Sequence, residues 1–220
     1  PIDKFIPDDM KMELAQMAGL AEGDTIFFIA APEKAACIFA GQIRDELGKR
    51  LDLIEKNAYR FCYINDFPMY EIDEETGKLG FTHNPFSMPQ GGLEALNTKN
   101  PLDILAYQYD IVCNGVELSS GAVRNHDMEI MEKAFEIAGY DKETLKDKFG
   151  ALYNAFQFGA PPHAGMAPGI DRMIMLLRNE ENIREVIAFP MSGTAQDLMC
   201  GAPSEITEQQ LREVHIKVRD

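Results

Sequence analysis

The sequence predicts an α+β fold in which an antiparallel sheet is flanked by helices. The strand-like stretches 109–118 and 120–127 follow one another with only a short connection between them, and strands joined in this way pair antiparallel. The helical patterns come mostly in a separate run after residue 127, which does not fit a doubly wound parallel sheet. With 220 residues and 45% hydrophobic content, the chain is large enough to bury a core.

The N-terminal part of the chain predicts a helix–strand–helix unit. Residues 9–20 have helical spacing, and residues 24–30 are an apolar run rich in Ile and Phe that is typical of a strand. A second helix is predicted over 33–48, with Gly48 at its end. Beyond about residue 62 the strand candidates become longer and are separated by Gly, Pro and Asn, so we expect a first domain over residues 1–62.

The rest of the chain, 63–220, is expected to form a second domain, with strand candidates separated by Gly, Pro and Asn. The strand candidates are 60–70, 78–87, a pair within 109–127, and 185–191. Helices are predicted at 128–139, 142–158, 171–178 and from about residue 206. Asp127 precedes the first of these helices, and Thr207 and Gln210 open the last at capping-box spacing.

Charge and cysteine content restrict the class of protein. The chain has 21 basic and 36 acidic residues, and its net charge of −15 disfavours indiscriminate binding to nucleic acid. No apolar run approaches the length of a membrane span, so we expect no membrane role. The four cysteines form no CxxC pair and are expected to be reduced thiols in a cytosolic protein. The start at Pro1 without a methionine suggests a piece of a longer protein.

The densest group of candidate functional residues lies within 110–124. Asp110 and Glu117 can share one face of a sheet only across a bulge or a turn at Asn114–Gly115, because side chains alternate along a strand. Arg124 follows in the same hairpin-like unit. Two carboxylates can hold Mg²⁺, and a guanidinium can bind a carboxylate or phosphate through two hydrogen bonds. The alternative is a solvated hairpin whose charges pair with one another.

A second candidate is the turn of small residues over 161–172. Gly165 and Gly169 permit tight backbone geometry, and Asp171 and Arg172 fall where a helix opens. An arginine in a first helical turn opposes the helix dipole, and a phosphate or an aromatic base would offset that cost. The alternative is a salt bridge from Arg172 to Asp171 or to a neighbouring acid.

The other reactive residue types give weaker signals. The four histidines are too scattered for a zinc site of ordinary spacing. His83 is placed on a strand ended by Pro85, where a lone histidine is more often structural than functional. No Ser, Cys or Thr has a setting typical of a catalytic triad, so covalent catalysis is disfavoured.

Five segments of the sequence, taken together, resemble the bacterial-type aspartyl-tRNA synthetases of class II. In chain order these segments are NDFPMYE, THNPF, YDIVCNGVELSSGAVRNHD, FGAPPHAGMAPGIDR and AFPMSGTAQDLMCGAPSEI. Within them, GMAPGIDR resembles motif 3 of the class II enzymes. The resemblance implies that residues 63–220 are the C-terminal half of the catalytic domain and that residues 1–62 are the later part of a GAD-type insert. It also implies that motifs 1 and 2 lie upstream, so the chain alone is expected to be inactive.

The resemblance implies roles for individual residues in forming aspartyl-adenylate from aspartate and ATP and in transferring it to the 3′ end of tRNA. His83 and Arg124 match aspartate-binding positions, with Arg124 holding the side-chain carboxylate. Asp110 and Glu117 match Mg²⁺ positions. The ATP-binding positions match Glu117, Gly169, Ile170, Asp171 and Arg172, and the catalytic positions match Glu117, Arg124 and Arg172.

The family also implies a cytoplasmic enzyme, a homodimer at full length, and aspartate, ATP, Mg²⁺ and tRNA as substrates, cofactor and partner. Two other readings stay open. Residues 1–62 can act as a tRNA-contacting or assembly module without catalysis, or the chain can belong to a sister class II enzyme, the asparaginyl or lysyl form. Departures from the family pattern occur at Asn84, Val116, Ser119, Ser120 and Pro168.

Overall fold

A computed structural model describes residues 2–219 and divides the chain into two units between Ala58 and Tyr59. The division falls four residues ahead of the boundary expected from the sequence. Phe61 and Cys62 pair with the central sheet of the second unit, which explains the difference. The assignment of the first unit to a GAD-type insert stays a prediction.

The first unit contains two helices, α1 (Asp8–Ala18) and α2 (Glu33–Arg50), after a 3-10 turn at Asp3–Phe5. The strand predicted over 24–30 is wrong, because these residues form no regular secondary structure. A strand completes its backbone hydrogen bonds on a neighbour, and residues 2–58 contain no second strand to supply them.

Gly48 does not end α2, contrary to the prediction. The helix continues to Arg50, and the left-handed residue beyond it is Asp52, with φ +51°. The N–H of Leu53 bonds to the carbonyl of Gly48 at 2.9 Å, and the N–H of Asp52 bonds to that of Lys49 at 3.3 Å. This pair of bonds is a Schellman closure, so Asp52 takes the position that glycine usually fills.

The second unit is built on a four-stranded sheet in the order β1–β4–β5–β6, and every neighbouring pair is antiparallel, as predicted. Its strands are β1 (Phe61–Pro68), β4 (Leu105–Cys113), β5 (Val116–Val123) and β6 (Ala164–Pro168). Asn114 and Gly115, both with positive φ, form the tight turn between β4 and β5.

Three sequence predictions for this unit need correction. The strand predicted over 78–87 is only β3 (Leu79–Phe81), which pairs with β2 (Tyr70–Ile72) in a small second sheet. The strand predicted over 185–191 is absent, and a 3-10 turn at Ile183–Glu185 precedes irregular chain. The turn of small residues before residue 169 is strand β6, because β5 provides a partner for its backbone.

Helices surround this sheet and provide most of the core. They are α3 (Gly92–Thr98), α4 (Met128–Ile137), α5 (Lys142–Phe156), α6 (Ile170–Leu177) and α7 (Glu208–Glu213). Asp127 caps α4 as its sequence position indicated, by accepting hydrogen bonds from the N–H groups of Glu129 and Ile130. Helix α4 links two buried clusters: Ala134 packs with Met69 and Ile104 in the first, and Phe135 packs in the second.

Candidate functional site

The pairing register of the sheet places several of the predicted residues on one face. Asp110 lies opposite Ser120, which lies opposite Ala167 on β6. Directly paired residues of antiparallel strands point to the same side of a sheet, and alternate residues along a strand share that side. Gln108 on β4 therefore belongs to the same face as Asp110, and Arg124, four residues after Ser120, continues it.

Glu117 lies on this face as well, and a turn and a β-bulge together place it there with Arg124. Ile111 pairs with Ser119, but the next residue, Val112, pairs with Glu117, so Leu118 is an extra residue in β5. The sequence left open a bulge or a turn at Asn114–Gly115 as the means of joining the two acids. The two-residue turn sets Glu117 opposite Val112, which shares a face with Asp110, so the turn joins the two acids. The bulge, three residues after the turn, shifts the register so that Ser120 and Arg124 lie on that same face. We call the face that carries Gln108, Asp110, Glu117, Ser120 and Arg124 the site face.

Arg172 contacts the site face directly. Its Nη1 donates to the backbone carbonyl of Glu117 at 2.7 Å and lies 3.1 Å from the Glu117 carboxylate. The sequence left open a salt bridge to Asp171 or to a neighbouring acid, and the partner is Glu117, itself a predicted site residue. Both side chains remain nearly half exposed, so the pair is accessible to a ligand.

The backbone of Gly169 joins the start of α6 to β5 beside this contact. Its N–H donates to the carbonyl of Leu118 at 2.7 Å, and a Cβ at this position would lie 3.5 Å from that same oxygen. Helix α6 begins at the next residue, so Arg172 is its third residue. Ile170 and Asp171 are exposed in the first turn of α6.

Arg124 and Asp110 are half-buried, and neither side chain has a hydrogen bond or ion pair within residues 2–219. The backbone of Arg124 is fixed, because its N–H donates to the carbonyl of His163 at 2.9 Å and it forms a bridge with Ser87. A charge that is partly removed from water normally has a partner. The unpaired guanidinium is therefore suited to receive an anion.

His83 lies beside the same face, but on a bend after β3 and not on the strand that the sequence predicted. Its exposed ring contacts Phe67 edge to face, with 5.1 Å between the ring centroids. Phe67 pairs with Ala106, which alternates with Gln108 along β4. This register places Phe67 on the side of the sheet that carries Asp110.

Two of the departures from the family pattern have a structural account. Asn84 stabilises the bend beside His83, because its Oδ1 accepts the N–H of Phe86 at 2.9 Å. Pro168 is the last residue of the edge strand β6, where its missing N–H costs no ladder bond. Nothing in the structure explains the substitutions at Val116, Ser119 and Ser120.

One hollow of the second unit borders the site face at Gln108, and no metal-ligand cluster occurs among the described residues. A hollow of about 470 Å³ belongs to the first unit, and another of about 250 Å³ in the second is lined by Gln108 with its neighbours Tyr107, Tyr109 and Val123. Neither hollow includes Asp110, Glu117 or Arg124, and the side chains of Glu117 and Arg172 remain nearly half exposed, so that end of the site face is open to solvent. Between residues 2 and 219, no three His, Cys, Asp or Glu side chains form a metal-binding group.

Sequence reasoning missed two buried polar residues at the edge of the site face. Gln108 and Ser87 are 7% and 0% exposed and hydrogen-bond to each other at 2.8 Å. The available signal was the position of Gln108, a polar residue two places before Asp110 in an otherwise aromatic and apolar strand. The partner, Ser87, could not be found in this way because it is 21 residues distant in sequence.

Comparison with known proteins identifies the family. A family model described as "tRNA synthetases class II (D, K and N)" matches residues 7–193. The chain belongs to this class II synthetase family. The sequence-based resemblance to a class II synthetase is thus confirmed, and so is the α+β class of its fold.

Curated class II relatives are similar along the whole chain. An aspartate–tRNA ligase of Streptomyces avermitilis is 59% identical over 219 residues, which are 100% of this chain and 37% of that ligase. An aspartate–tRNA(Asp/Asn) ligase of Zymomonas mobilis is 57% identical over 99% of this chain and 37% of its own length. The chain therefore spans little more than a third of these relatives.

A solved class II structure is also similar to this chain. The aspartyl tRNA synthetase from Entamoeba histolytica has a TM-score of 0.46 and 25% identity, over 84% of this chain and 31% of its own.

Proposed function

We propose that this chain is part of an aspartate–tRNA ligase, which activates L-aspartate with ATP and transfers it to the 3′ end of tRNA. The supporting observation is the half-buried, unpaired guanidinium of Arg124 on the same sheet face as Asp110 and Glu117. The high identity to aspartate–tRNA ligases supports the same reaction. A module without catalysis is not favoured, because those close relatives are ligases.

In this proposal, one end of the site face binds aspartate and the other end binds ATP. Arg124 binds the side-chain carboxylate of aspartate through two parallel hydrogen bonds, with His83 beside it. The segment from Gly169 to Arg172, together with Glu117, binds ATP at the other end of β5. The α-carboxylate of aspartate then attacks the α-phosphorus of ATP, and the bond from that phosphorus to the pyrophosphate breaks, so aspartyl-adenylate forms and pyrophosphate leaves. The guanidinium of Arg172 neutralises charge that develops on the phosphate oxygens. No protein nucleophile is required.

Asp110 and Glu117 are the residues that would hold Mg²⁺. The ion is usually held in proteins by one or two carboxylates, with water and substrate phosphates completing its shell, so a two-carboxylate donor set fits. When bound, Mg²⁺ would supply positive charge to the phosphate oxygens. Glu117 would share its carboxylate between the ion and Arg172, which it already contacts at 3.1 Å.

The remaining proposals concern the complete ligase. We propose that the complete ligase is a cytoplasmic homodimer. Its tRNA contacts would lie largely outside this chain, because the chain spans 37% of the relatives named above. None of the helices within residues 2–219 is long and apolar enough to cross a bilayer. Because the site face is open, we expect the 220-residue chain alone to lack activating activity.

Replacing Arg124 tests the proposed function. In the complete ligase, Arg124→Leu should reduce aspartate-dependent ATP–pyrophosphate exchange by at least a hundredfold, because the leucine cannot pair with the substrate carboxylate. Arg178→Leu is the matched control, since it removes the same charge from an exposed position at the end of α6. Circular dichroism should show both variants folded. Near-normal exchange in Arg124→Leu would contradict the assignment.

A further inference from the structure

We infer that Gln108 is a positioning residue for the aspartate end of the site, acting through the segment 82–88; this inference rests on the proposed function. The side-chain amide of Gln108 makes two hydrogen bonds to that segment. Its Nε2 donates to Ser87 Oγ at 2.8 Å and to the backbone carbonyl of Asn84 at 3.2 Å. The segment carries His83, and its last residues run along the backbone of Arg124.

The two ends of the segment are fixed by main-chain bonds. At its beginning, the N–H of Thr82 donates to the carbonyl of Met69 at 3.2 Å. At its end, the N–H of Met88 donates to Val123 at 2.9 Å, and Phe86 accepts from the N–H of Asn125 at 2.7 Å. Between these anchors, His83 and Asn84 form a bend that belongs to no strand.

The bend itself has few ties to the sheet. The ring of His83 contacts Phe67, and the other bonds of Asn84 are local, to the N–H groups of Phe86 and Ser87. Within residues 2–219, the hydrogen bond that connects His83 or Asn84 to β4 is the one from Gln108 Nε2 to the carbonyl of Asn84. Gln108 therefore ties the His83 bend to the strand that carries Asp110, while the bond from the N–H of Tyr107 to the carbonyl of Met88 at 2.9 Å holds the end of the segment on the same strand.

The burial of these groups makes the connection sensitive to change. Ser87 is fully buried, and Gln108 is 7% exposed, so water cannot easily replace the amide if it is removed. A buried hydroxyl or carbonyl that loses its partner pays a desolvation cost, and the bend would shift to recover a bond. A shift at Ser87 acts on Arg124, because the two residues form a backbone bridge.

The effect of replacing Gln108 should be confined to the end of the site face where Arg124 binds aspartate. Glu117, which pairs with Arg172, lies seven residues from Arg124 along β5, a separation of roughly 20 Å in an extended strand. Gln108 acts at the Arg124 end of this strand, because its side chain bonds to Ser87 and its backbone pairs with Ala122. We therefore expect the KM for aspartate to change while the KM for ATP does not.

Steady-state ATP–pyrophosphate exchange by the complete ligase tests the inference. Gln108→Leu removes both donors at similar volume and should raise the KM for aspartate about tenfold, with the KM for ATP within twofold of wild type. Ser87→Ala removes the main acceptor with less disturbance of packing and should act in the same direction. The double variant should show less than the sum of the two effects, because both changes break one shared bond.

Gln90→Leu is the matched control, because its amide donates to Asp66 at 2.6 Å away from the His83 bend; it should leave both KM values unchanged. If either Gln108→Leu or Ser87→Ala leaves the KM for aspartate within twofold, or if the KM values for aspartate and ATP rise together, the inference is wrong. Loss of exchange in Arg124→Leu alongside an unchanged Gln108→Leu would overturn this inference and leave the proposed function standing. If the wild-type ligase shows no aspartate-dependent exchange, the proposed function itself fails.

Discussion

Single residues fix how closely the three central strands approach one another. The ring of Tyr109 lies over Gly121 on the neighbouring strand, and its hydroxyl donates to the carbonyl of Gly165 at 3.1 Å. Tyr109 thereby reaches from β4 across β5 to β6. A side chain at position 121 would occupy the space that the ring uses. The glycine is required here by close approach, since its φ is not in the left-handed region.

Replacement of Gly121 by alanine should therefore destabilise the protein. The added Cβ would overlap Tyr109 Cε2 and lie 2.7 Å from the carbonyl oxygen of Gly165, which is backbone and cannot easily move away. We expect a loss of about 1–3 kcal/mol in the free energy of unfolding, measured by urea denaturation. Gly165→Ala is the control, because a Cβ there meets nothing within 4 Å. Equal losses in the two variants would show that the contact with Tyr109 is unimportant.

At the scale of the elements, local signals predicted the helices and failed for isolated strands. Asp127 at the start of α4 and the Thr207–Gln210 box at the start of α7 were readable because a cap lies within three residues of the group it satisfies. The apolar runs at 24–30 and 185–191 have strand composition but no neighbouring strand to pair with. A strand depends on distant residues, and composition carries no information about them.

The candidate site likewise combines features that local sequence predicted with features that depend on distant residues. The residue types and the alternation along β4 and β5 indicated which residues could meet. The bulge at Leu118, the pairing of Arg172 with Glu117 and the bond from Gln108 to Ser87 depend on contacts between distant parts of the chain. Only coordinates can place these contacts.

A polar contact between two helices gives a prediction about pH. Glu132 on α4 accepts hydrogen bonds from the Tyr153 hydroxyl at 2.6 Å and from Lys142 at 3.0 Å, both on α5. Burial alone would raise the pKa of Glu132, but the hydrogen bonds from Lys142 and Tyr153 outweigh it and hold the pKa below its ordinary value. A carboxylate with a lowered pKa stabilises the folded state above its unfolded pKa, and this contribution is lost as the pH falls through the folded value.

Glu132→Gln should consequently be less stable than wild type at pH 7, by about 1 kcal/mol for a partly exposed pair. The difference should shrink as the pH falls from about 4.5 towards 3, because the wild-type carboxylate becomes protonated there. Urea denaturation at pH 7 and pH 3 measures both values. Glu71→Gln, at an exposed position on β2, provides the control. A difference that is constant with pH would mean that the charge of Glu132 does not contribute.

On the scale of the whole molecule, the two units differ in how much they bury. Within residues 2–58 no residue is buried, and apolar side chains such as Ile38 and Phe39 of α2 remain about half exposed. The second unit contains both buried clusters and the four-stranded sheet. Helical stability in proteins comes mostly from packing of an apolar face, so the helices of the two units should differ in stability.

Hydrogen exchange in the 220-residue chain should reveal this difference. Backbone amides of α2 should exchange at least tenfold faster than those of α4, because α4 buries Met131, Ala134 and Phe135 whereas α2 buries no residue. Both helices are measured in one sample by mass spectrometry, so each serves as the control for the other. Helix α2 is the longer of the two, with 18 residues against 10. Length alone would protect α2 better, so slower exchange in α2 than in α4 would show that burial does not determine the stability of these helices.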